Sequence, residues 1–203
     1  MTTTLVLIRH GQTDWNVAGR WQGEADIPLN ENGRLQAQKV AQRLKNWSLQ
    51  ALISSDLQRA AATAQAIGEV CGLTPIYSAA WQERAVGDFS GMTGAQAREK
   101  YPDVFSATKS IGGVLNPPNG EQFTDFHRRA ITAYETAVSE YDGQTIAIVS
   151  HGATLAIILS QVIGVPEGQF GRFRLNGNTG ISVVQVDDGS AHVVRLNDTA
   201  HLE

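Results

Sequence analysis

The 203-residue chain has only one cysteine, Cys71, and no long uninterrupted apolar run. A single cysteine excludes an internal disulfide, and its apolar neighbours favour a buried structural thiol over a nucleophile. No stretch approaches the roughly 20 apolar residues of a membrane-spanning helix, so we expect no membrane partner. The first residues lack the basic and apolar regions of a secretory signal, which predicts a cytoplasmic protein.

The chain also lacks an excess of positive charge, since its formal net charge is −4. Nucleic-acid binding generally needs a basic face, so we expect no nucleic-acid partner. The sequence has neither a Gly-X-X-X-X-Gly-Lys-Ser/Thr loop nor a dinucleotide fingerprint. Residues 87–91 have the wrong register for the nucleophile elbow Gly-X-Ser-X-Gly. The five histidines lack the close spacing of metal ligands, so we expect no metal site.

The sequence does contain an early alternation of short apolar runs and helical patterns, which predicts a mostly parallel sheet covered by helices. Strands are predicted at residues 4–8, 51–54, 75–77 and 145–149, and a hairpin at 181–186 and 191–196. Helices are predicted at residues 30–47, 56–70, 95–101, 121–141 and 153–163. Asn30 and Asp56 are the predicted caps of the first two, and Leu35 is assigned to the apolar face of the first.

This pattern predicts an α/β fold of three layers, with a mostly parallel central sheet flanked by helices and an antiparallel edge strand from the hairpin. At this length we expect one domain over residues 1–203. Residues 79–120 are less regular and include a glycine- and proline-rich loop at 108–120. We interpret residues 79–120 as a lid over the carboxyl edge of the sheet.

Charged and polar side chains follow the predicted parallel strands, at the point where each strand ends. Arg9 and His10 follow the first strand, Arg59 lies just after the second, Glu83 follows the third and His151 follows the fourth. Each alone has an ordinary explanation, such as a solvated arginine or a structural histidine. Because the carboxyl ends of parallel strands share one edge, where ligands bind in open α/β sheets, we expect these side chains to converge.

The converging groups suit phosphoryl transfer, in which negative charge spreads over the equatorial oxygens and fixed donors stabilise it. Arg9 and Arg59 would supply fork-shaped, permanently charged donors, and Asn16 a neutral one. His10 would supply the nitrogen nucleophile, which the two arginines keep unprotonated. Glu83 is the candidate to protonate the leaving alkoxide.

Residues 9–16 resemble the RHG motif of the histidine phosphatase superfamily, in its phosphoglycerate mutase-like branch. The resemblance extends over essentially the whole chain, and the order of the motifs is specific. It continues at residues 21–29, 54–60, 63–64, 83, 87, 91, 120–121, 149–152 and 197–202. Gln12 stands where many members have glutamate, at a position that is not catalytic.

The resemblance implies a phosphohistidine intermediate on His10, proton donation by Glu83, and no metal or organic cofactor. The implied phosphate contacts come from Arg9, Asn16, Gln22, Gly23, Arg59, His151 and Gly152. The function it implies is a metal-independent phosphomonoesterase, similar to histidine acid phosphatases, that acts on a small phosphorylated metabolite. A monomer and a homodimer both remain open.

Two alternatives remain. A phosphoglycerate mutase-type enzyme would share the RHG motif, but such enzymes have a Tyr-Gly-X-Leu-X-Gly run after the acidic glutamate and basic residues for a second acidic group. Here residues 84–91 differ, and the only cations between residues 92 and 120 are Arg98, Lys100 and Lys109. A non-catalytic phospholigand-binding member would usually lack a catalytic group, whereas here every one is present.

Overall fold

A six-stranded sheet forms the centre of the molecule. A computed structural model describes residues 1–108, 115–166, 169, 175 and 177–203. The strands are β1 (Thr3–Arg9), β2 (Ala51–Ser54), β3 (Ile76–Tyr77), β4 (Thr145–Ser150), β5 (Ile181–Asp187) and β6 (Ser190–Asp198). Their order is β3-β2-β4-β1-β5-β6. Neighbours among the first four strands pair in parallel, whereas β1 with β5 and β5 with β6 pair antiparallel. The predicted mostly parallel sheet with an antiparallel edge is therefore confirmed.

Helices cover both faces of this sheet and complete the three layers. They are α1 (Asp14–Val17), α2 (Glu31–Leu44), α3 (Gln58–Cys71), α4 (Gly94–Lys100), α5 (Pro102–Thr108), α6 (Phe123–Glu140) and α7 (Gly152–Val162). Short 3-10 turns lie at Ala79–Trp81, Gly87–Phe89 and Ala200–Leu202. Among the described residues, no helix is both long and apolar enough to cross a membrane.

The alternation of side chains along β1 explains its continuous apolar sequence. Leu5 and Leu7 pack with residues of α6 and α7, whereas Val6 and Ile8 pack with residues of α2 and α3. Successive strand residues face opposite sides, so a strand covered on both sides needs apolar residues throughout. This double burial leaves only the strand's ends available for polar chemistry.

The hairpin that supplies the antiparallel edge turns at Asp188 and Gly189. Both residues have positive φ, at 46° and 80°, which is the backbone of a two-residue hairpin turn. Antiparallel β5 begins beside the carboxyl end of β1, since Ile181 pairs with Ile8. The residues just before β5 therefore lie at the same sheet edge as the residues just after β1.

The helix starts confirm one predicted cap and correct another. The Asn30 side chain accepts a hydrogen bond from Gly33 N at 2.8 Å, as predicted. The prediction for Asp56 was wrong, because α3 begins at Gln58 after Leu57. Asp26, from the loop after β1, accepts the Gln58 N–H at 2.7 Å instead. A cap supplied from a distant segment leaves no local sequence signal.

The apolar face of α2 also differs from the prediction. Leu35 is 53% exposed, so its assignment to the buried face was wrong. The buried residues of the helix are Gly33, Ala37, Val40, Ala41 and Leu44. Their spacings of three and four residues define one helical stripe that does not include position 35.

Between residues 86 and 105 the chain forms a small apolar cluster of its own. Val86, Phe89 and Ala97 are buried in it. The rings of Phe89 and Phe105 are stacked, with their centroids 5.6 Å apart. Helix α5, which contributes Phe105, was not predicted, because Pro102 was interpreted only as the end of α4. Proline is equally suited to the first turn of a helix, where its missing N–H costs nothing.

The loop predicted at residues 108–120 falls partly outside the described residues, as does Lys109. Residues 115–120 contain neither helix nor strand, in agreement with the prediction. Cys71 packs against the apolar cluster beneath α3 and is partly buried.

Candidate active site

The carboxyl ends of β1 and β4 lie side by side and bring two histidines together. Arg9 pairs with Ser150 in the parallel register, and His10 N donates to Ser150 O at 3.0 Å. The next residue on β4 is His151, whose ring centroid lies 5.1 Å from that of His10. The predicted convergence of these strand ends is present.

A backbone contact determines the tautomer of His10. Its Nδ1 lies 2.7 Å from the Gly11 carbonyl oxygen, which can only accept a hydrogen bond. Nδ1 therefore carries the proton, and Nε2 of the neutral ring has the free lone pair. Burial, followed by the charges of Arg59 and Arg9, holds the pKa of His10 well below its usual value. The ring is therefore neutral at neutral pH, and its Nε2 lone pair is available to a ligand.

Arg59 is fully buried and is fixed by three acceptors. Its Nη1 donates to Ala25 O at 2.6 Å and its Nη2 to Gly23 O at 2.7 Å. Burial lowers the pKa of Arg59 to about 10, although nearby Glu83 and Asp26 oppose this change. Arg59 thus stays charged at neutral pH and retains unused N–H groups on both terminal nitrogens.

His151 accepts the third bond of Arg59, from Nε to Nδ1 at 3.2 Å. Because that nitrogen is an acceptor, the proton of the neutral ring lies on Nε2, which is 2.8 Å from Ser55 Oγ. Burial and the charge of Arg59 hold the pKa of His151 well below its usual value. The structure thus brings His151 into the site with both ring nitrogens hydrogen-bonded to protein groups.

Arg9 contributes the second buried guanidinium. Its Nη1 donates to Leu175 O at 3.1 Å, while its buried Nε has no partner within the described part of the chain. Burial lowers the pKa of Arg9, and the charge of Glu83 opposes that shift. Gly152 packs directly against this side chain, since a Cβ there would lie 3.5 Å from Arg9 Nε. The predicted Gly152 therefore borders the same pocket.

The amide of Asn16 has a defined orientation. Its Oδ1 accepts from Thr13 N at 3.0 Å and from Asn178 Nδ2 at 3.2 Å. With the oxygen occupied, the amide nitrogen is the end left to donate to a ligand. Gln22 is nearby, since its Oε1 lies 3.1 Å from the Thr13 hydroxyl. Gly23 follows with φ 54°, and a Cβ there would lie 2.6 Å from Val86 Cγ2.

Asn178 was not predicted from the sequence. Its amide donates to the His10 carbonyl at 3.0 Å as well as to Asn16, so it links the backbone of His10 to the neutral donor. The prediction used only the carboxyl ends of parallel strands. Asn178 precedes an antiparallel strand, whose amino end lies at the same edge, and this geometric rule could have located it.

Glu83 lies beside the arginines on the loop after β3. Its Oε2 accepts from Ala153 N, in the first turn of α7, at 2.9 Å. Its Oε1 accepts from Arg84 N at 3.0 Å. The side chain is partly buried, and its charge acts on both Arg9 and Arg59. Glu83 is therefore both fixed by backbone donors and open to solvent on one side.

The RHG loop is fastened to the helices around it. Gly11 N donates to Thr63 Oγ1 at 3.0 Å, and that hydroxyl donates to Arg59 O at 2.7 Å. A Cβ on Gly11 would lie 2.5 Å from Gly33 O, and a Cβ on Gly33 would lie 2.0 Å from Gln12 O. Both glycines are required because the loop and α2 touch through their backbones.

Within the described ranges, no cluster of three or more histidine, cysteine or carboxylate side chains could hold a metal ion. The positive charge of the pocket comes from Arg9 and Arg59. An α/β sheet with a neutral histidine near two largely buried guanidinium groups at its carboxyl edge is suited to binding a phosphoryl group.

The chain matches the family described as the histidine phosphatase superfamily (branch 1) over residues 5–199, and it belongs to that family. The metal-independent phosphoserine phosphatase of Arabidopsis thaliana is 34% identical over 98% of this chain and 83% of its own. The protein of Yersinia pestis (strain Pestoides F) named probable phosphoglycerate mutase GpmB is 34% identical over 97% of this chain and 94% of its own. Among solved structures, Bacillus stearothermophilus YhfR superposes with a TM-score of 0.90 at 33% identity, covering 99% and 100% of the two chains.

Proposed function

We propose that this chain is a metal-independent phosphomonoesterase that forms a phosphohistidine on His10 and acts on a small phosphorylated metabolite. One observation carries the proposal. The Gly11 carbonyl oxygen lies 2.7 Å from His10 Nδ1 and keeps the ring proton on that nitrogen. The Nε2 lone pair is therefore free in a pocket that contains two largely buried guanidinium groups. A buried, neutral histidine beside two positive charges suits attack on a dianionic phosphoryl group.

In the first step the Nε2 lone pair of His10 attacks phosphorus, and the P–O bond to the leaving group breaks. Arg9, Arg59 and the Asn16 amide nitrogen donate to the equatorial oxygens, which satisfies the unpaired Arg9 Nε. A protonated Glu83 gives its proton to the departing alkoxide. The products of this step are an alcohol and phosphohistidine.

In the second step water attacks the phosphohistidine. Glu83, now a carboxylate, takes a proton from that water as the P–N bond breaks, and inorganic phosphate leaves. The electron pair of the P–N bond returns to His10 Nε2, which restores the enzyme. In this scheme His151 acts as a neutral acceptor that holds the Arg59 fork in place, and its Nε2–H can turn to the phosphoryl group only by leaving Ser55.

We further propose that residues 1–203 form one domain in which residues 79–120 act as a lid over the reaction site. Two observations support this arrangement. Glu83 itself lies in that segment, and Val86 N donates to Glu24 Oε2 at 3.0 Å, next to Gly23. The lid would exclude water during phosphorylation of His10.

The relative named as a mutase supports a second candidate, a phosphoglycerate mutase-type transfer. Between residues 92 and 120, the two described cations lie over aromatic rings, with Arg98 at 4.6 Å from the Phe105 centroid and Lys100 at 5.3 Å from that of Tyr101. Neither forms a hydrogen bond or an ion pair with the described site residues. Hydrolysis of one phosphate therefore fits this pocket better than transfer between two acidic groups. A purely binding role is disfavoured because the nucleophile, clamp and acid are all in place.

The test is to trap the intermediate. Acid-labile, base-stable phosphate should appear on the wild type exposed to p-nitrophenyl phosphate and be absent from His10→Ala. His192→Ala, at an exposed position of β6, is the matched control and should retain the phosphate. Undiminished turnover by His10→Ala, or activity lost in EDTA and restored by a divalent metal, would refute the proposal. Isomerisation of 3-phosphoglycerate that outpaces hydrolysis would favour the mutase.

A further inference from the structure

Among the described residues outside the pocket, Arg129 of α6 makes an especially dense set of polar contacts. Its Nη1 donates to the carbonyl oxygens of Ala80 and Gln82 at 3.1 and 2.9 Å. Its Nη2 is 3.4 Å from the Glu83 carbonyl oxygen. One guanidinium thus contacts three carbonyls of the segment that ends in the proposed acid.

This segment needs such support because it follows the last sheet pairing on that side. Strand β3 ends at Tyr77, so residues 80–83 have no ladder partner for their carbonyl groups. The opposite side of the segment is held by β4 and α7, where Ser150 Oγ donates to Trp81 O at 2.7 Å and Thr154 Oγ1 to Gln82 O at 2.8 Å. Arg129 supplies the remaining donors.

Glu121 holds Arg129 in this position. Its two carboxylate oxygens accept from Arg129 Nε at 3.0 Å and Nη2 at 2.8 Å. Both side chains are mostly shielded, with exposed fractions of 25% and 20%. The planar fork thereby points its other N–H groups at the carbonyls.

Arg84 holds the backbone of Glu121 in place. It donates to the Glu121 carbonyl oxygen from Nε at 3.0 Å and from Nη2 at 2.8 Å, and Glu121 N donates to Ala85 O at 3.0 Å. Residues 80–85 and Glu121 therefore form one hydrogen-bonded unit with α6.

We propose that Arg129, locked by Glu121, is a positioning residue that sets where the Glu83 carboxyl group stands relative to the leaving-group oxygen. The inference rests on the proposed role of Glu83 as the acid. Its consequence is selective. Loss of Arg129 slows the proton transfers made by Glu83, while the phosphoryl pocket around His10 keeps its shape. A displacement of about 1 Å is enough to cost about 100-fold in such a step.

The experiment compares Arg129→Met with Arg128→Met, the neighbouring exposed arginine, whose pairing with Asp125 leaves the side chains 72% and 56% exposed. Two esters are used, p-nitrophenyl phosphate, whose leaving group needs no proton, and an alkyl phosphate such as β-glycerophosphate. Arg129→Met should release a stoichiometric burst of p-nitrophenolate at close to the wild-type rate. Its phosphorylation by the alkyl ester should slow by about 10- to 100-fold.

Vanadate inhibition provides the second readout, since it reports on the phosphoryl pocket without a leaving group. The inhibition constant of Arg129→Met should stay within about threefold of the wild type, which is less than 1 kcal/mol. Equal slowing of both esters, or a large loss of vanadate affinity, would show a general structural role and overturn the inference. If Arg129→Met fails to fold, Arg129→Lys and Glu121→Gln provide the same comparison with a donor or an acceptor retained.

Glu83→Gln distinguishes a failure of the positioning role of Arg129 from a failure of the proposed role of Glu83 as the acid. If Glu83→Gln slows alkyl phosphorylation selectively and Arg129→Met does not, only the positioning role fails. If Glu83→Gln slows both esters equally, the acid assignment itself fails. In the double variant, Arg129→Met should add less than about twofold to the effect of Glu83→Gln, because the two changes act on one group.

Discussion

The two sides of the proposed reaction site are built differently. The nucleophile side, named for the proposed role of His10, consists of the ends of two central strands, where His10 and His151 are almost completely buried. The acid side, named for the proposed role of Glu83, is a loop beyond a two-residue strand, and Glu83 is partly exposed there. On the first side the sheet itself fixes the geometry. On the second, side chains of other elements, namely Arg129, Ser150 and Thr154, bond the carbonyl groups that have no ladder partner.

The difference in burial also affects the pKa values of the groups on the two sides. The strand ends exclude water, so burial lowers the pKa values of Arg9, His10, Arg59 and His151. Such groups bind an incoming anion strongly because the pocket is already desolvated. In the proposed mechanism Glu83 must instead exchange protons with water in every cycle, and its partial exposure serves that need.

The largest expected effect of a single donor comes from the nucleophile side, at Arg59. Arg59→Ala should lower kcat by about 10²–10³, the usual loss for one charge-assisted donor. Arg59→Lys should recover little, because a single ammonium group cannot bond Gly23, Ala25 and His151 together. Steady-state kinetics on p-nitrophenyl phosphate measures both. A lysine variant with near wild-type kcat would mean that the site needs only a point charge.

The second effect is a loss of stability in acid, which tests the burial of the nucleophile side. His10 and His151 titrate well below their usual pKa in the folded chain, whereas in the unfolded chain they take up protons at about pH 6.5. The free energy of unfolding should thus fall as pH drops below about 6.5, by at most about 1.4 kcal/mol per pH unit for each group.

Urea unfolding at pH 7.5 and pH 5.5 measures this loss. His10→Asn should show a smaller decrease than the wild type, because one of the two coupled groups is gone. His192→Ala is the control and should follow the wild type, since its imidazole is exposed. A decrease identical in all three proteins would show that His10 does not contribute to the acid response.

A smaller effect should follow from loosening the Asn16 donor. Asn178→Ala removes a bond to the Asn16 oxygen and one to the His10 carbonyl. The affinity for vanadate should fall by roughly 10-fold, equal to about 1.4 kcal/mol, within the range for lost hydrogen bonds. Inhibition assays give the value. A change confined to thermal stability, with vanadate affinity intact, would mean that Asn178 only supports the fold.

The smallest effect is expected far from both sides of the site. Arg128→Ala removes an ion pair that is mostly exposed to solvent, and such pairs contribute about 0.2–1 kcal/mol. Activity should be unchanged and the free energy of unfolding nearly so, as measured by chemical denaturation. A fall in kcat would show that α6 reaches the site through more than Arg129.

The sequence predicted the nucleophile side better than the acid side, for a physical reason. The apolar runs of β1 and β4 mark their own ends, so Arg9, His10 and His151 could be assigned to one edge from the sequence alone. Glu83 was found in the same way, but its supports were not. The Glu121–Arg129 pair and Asn178 act through contacts between segments distant in sequence, and neither hydrophobic period nor local capping records such contacts.

The wrong cap of α3 and the missed helix α5 also arose because the sequence was interpreted with local rules. Asp56 looked like the cap of α3, yet Asp26 caps it from 32 positions away. Helix α5 was missed because proline ends one helix and begins the next. In each case a local rule was applied correctly to the chain, and a tertiary contact or a second permitted use of the residue decided the outcome.

The backbone contact between Gly11 and Gly33 has a consequence for how activity is lost. The loop that carries His10 keeps its place only while α2 is packed against it, and it is also tied to α3 through Thr63 and to β4 through Ser150. The proposed reaction site is therefore built from segments that span most of the chain. We expect catalytic activity to depend on this whole cooperative unit, so that activity and global secondary structure are lost in one transition.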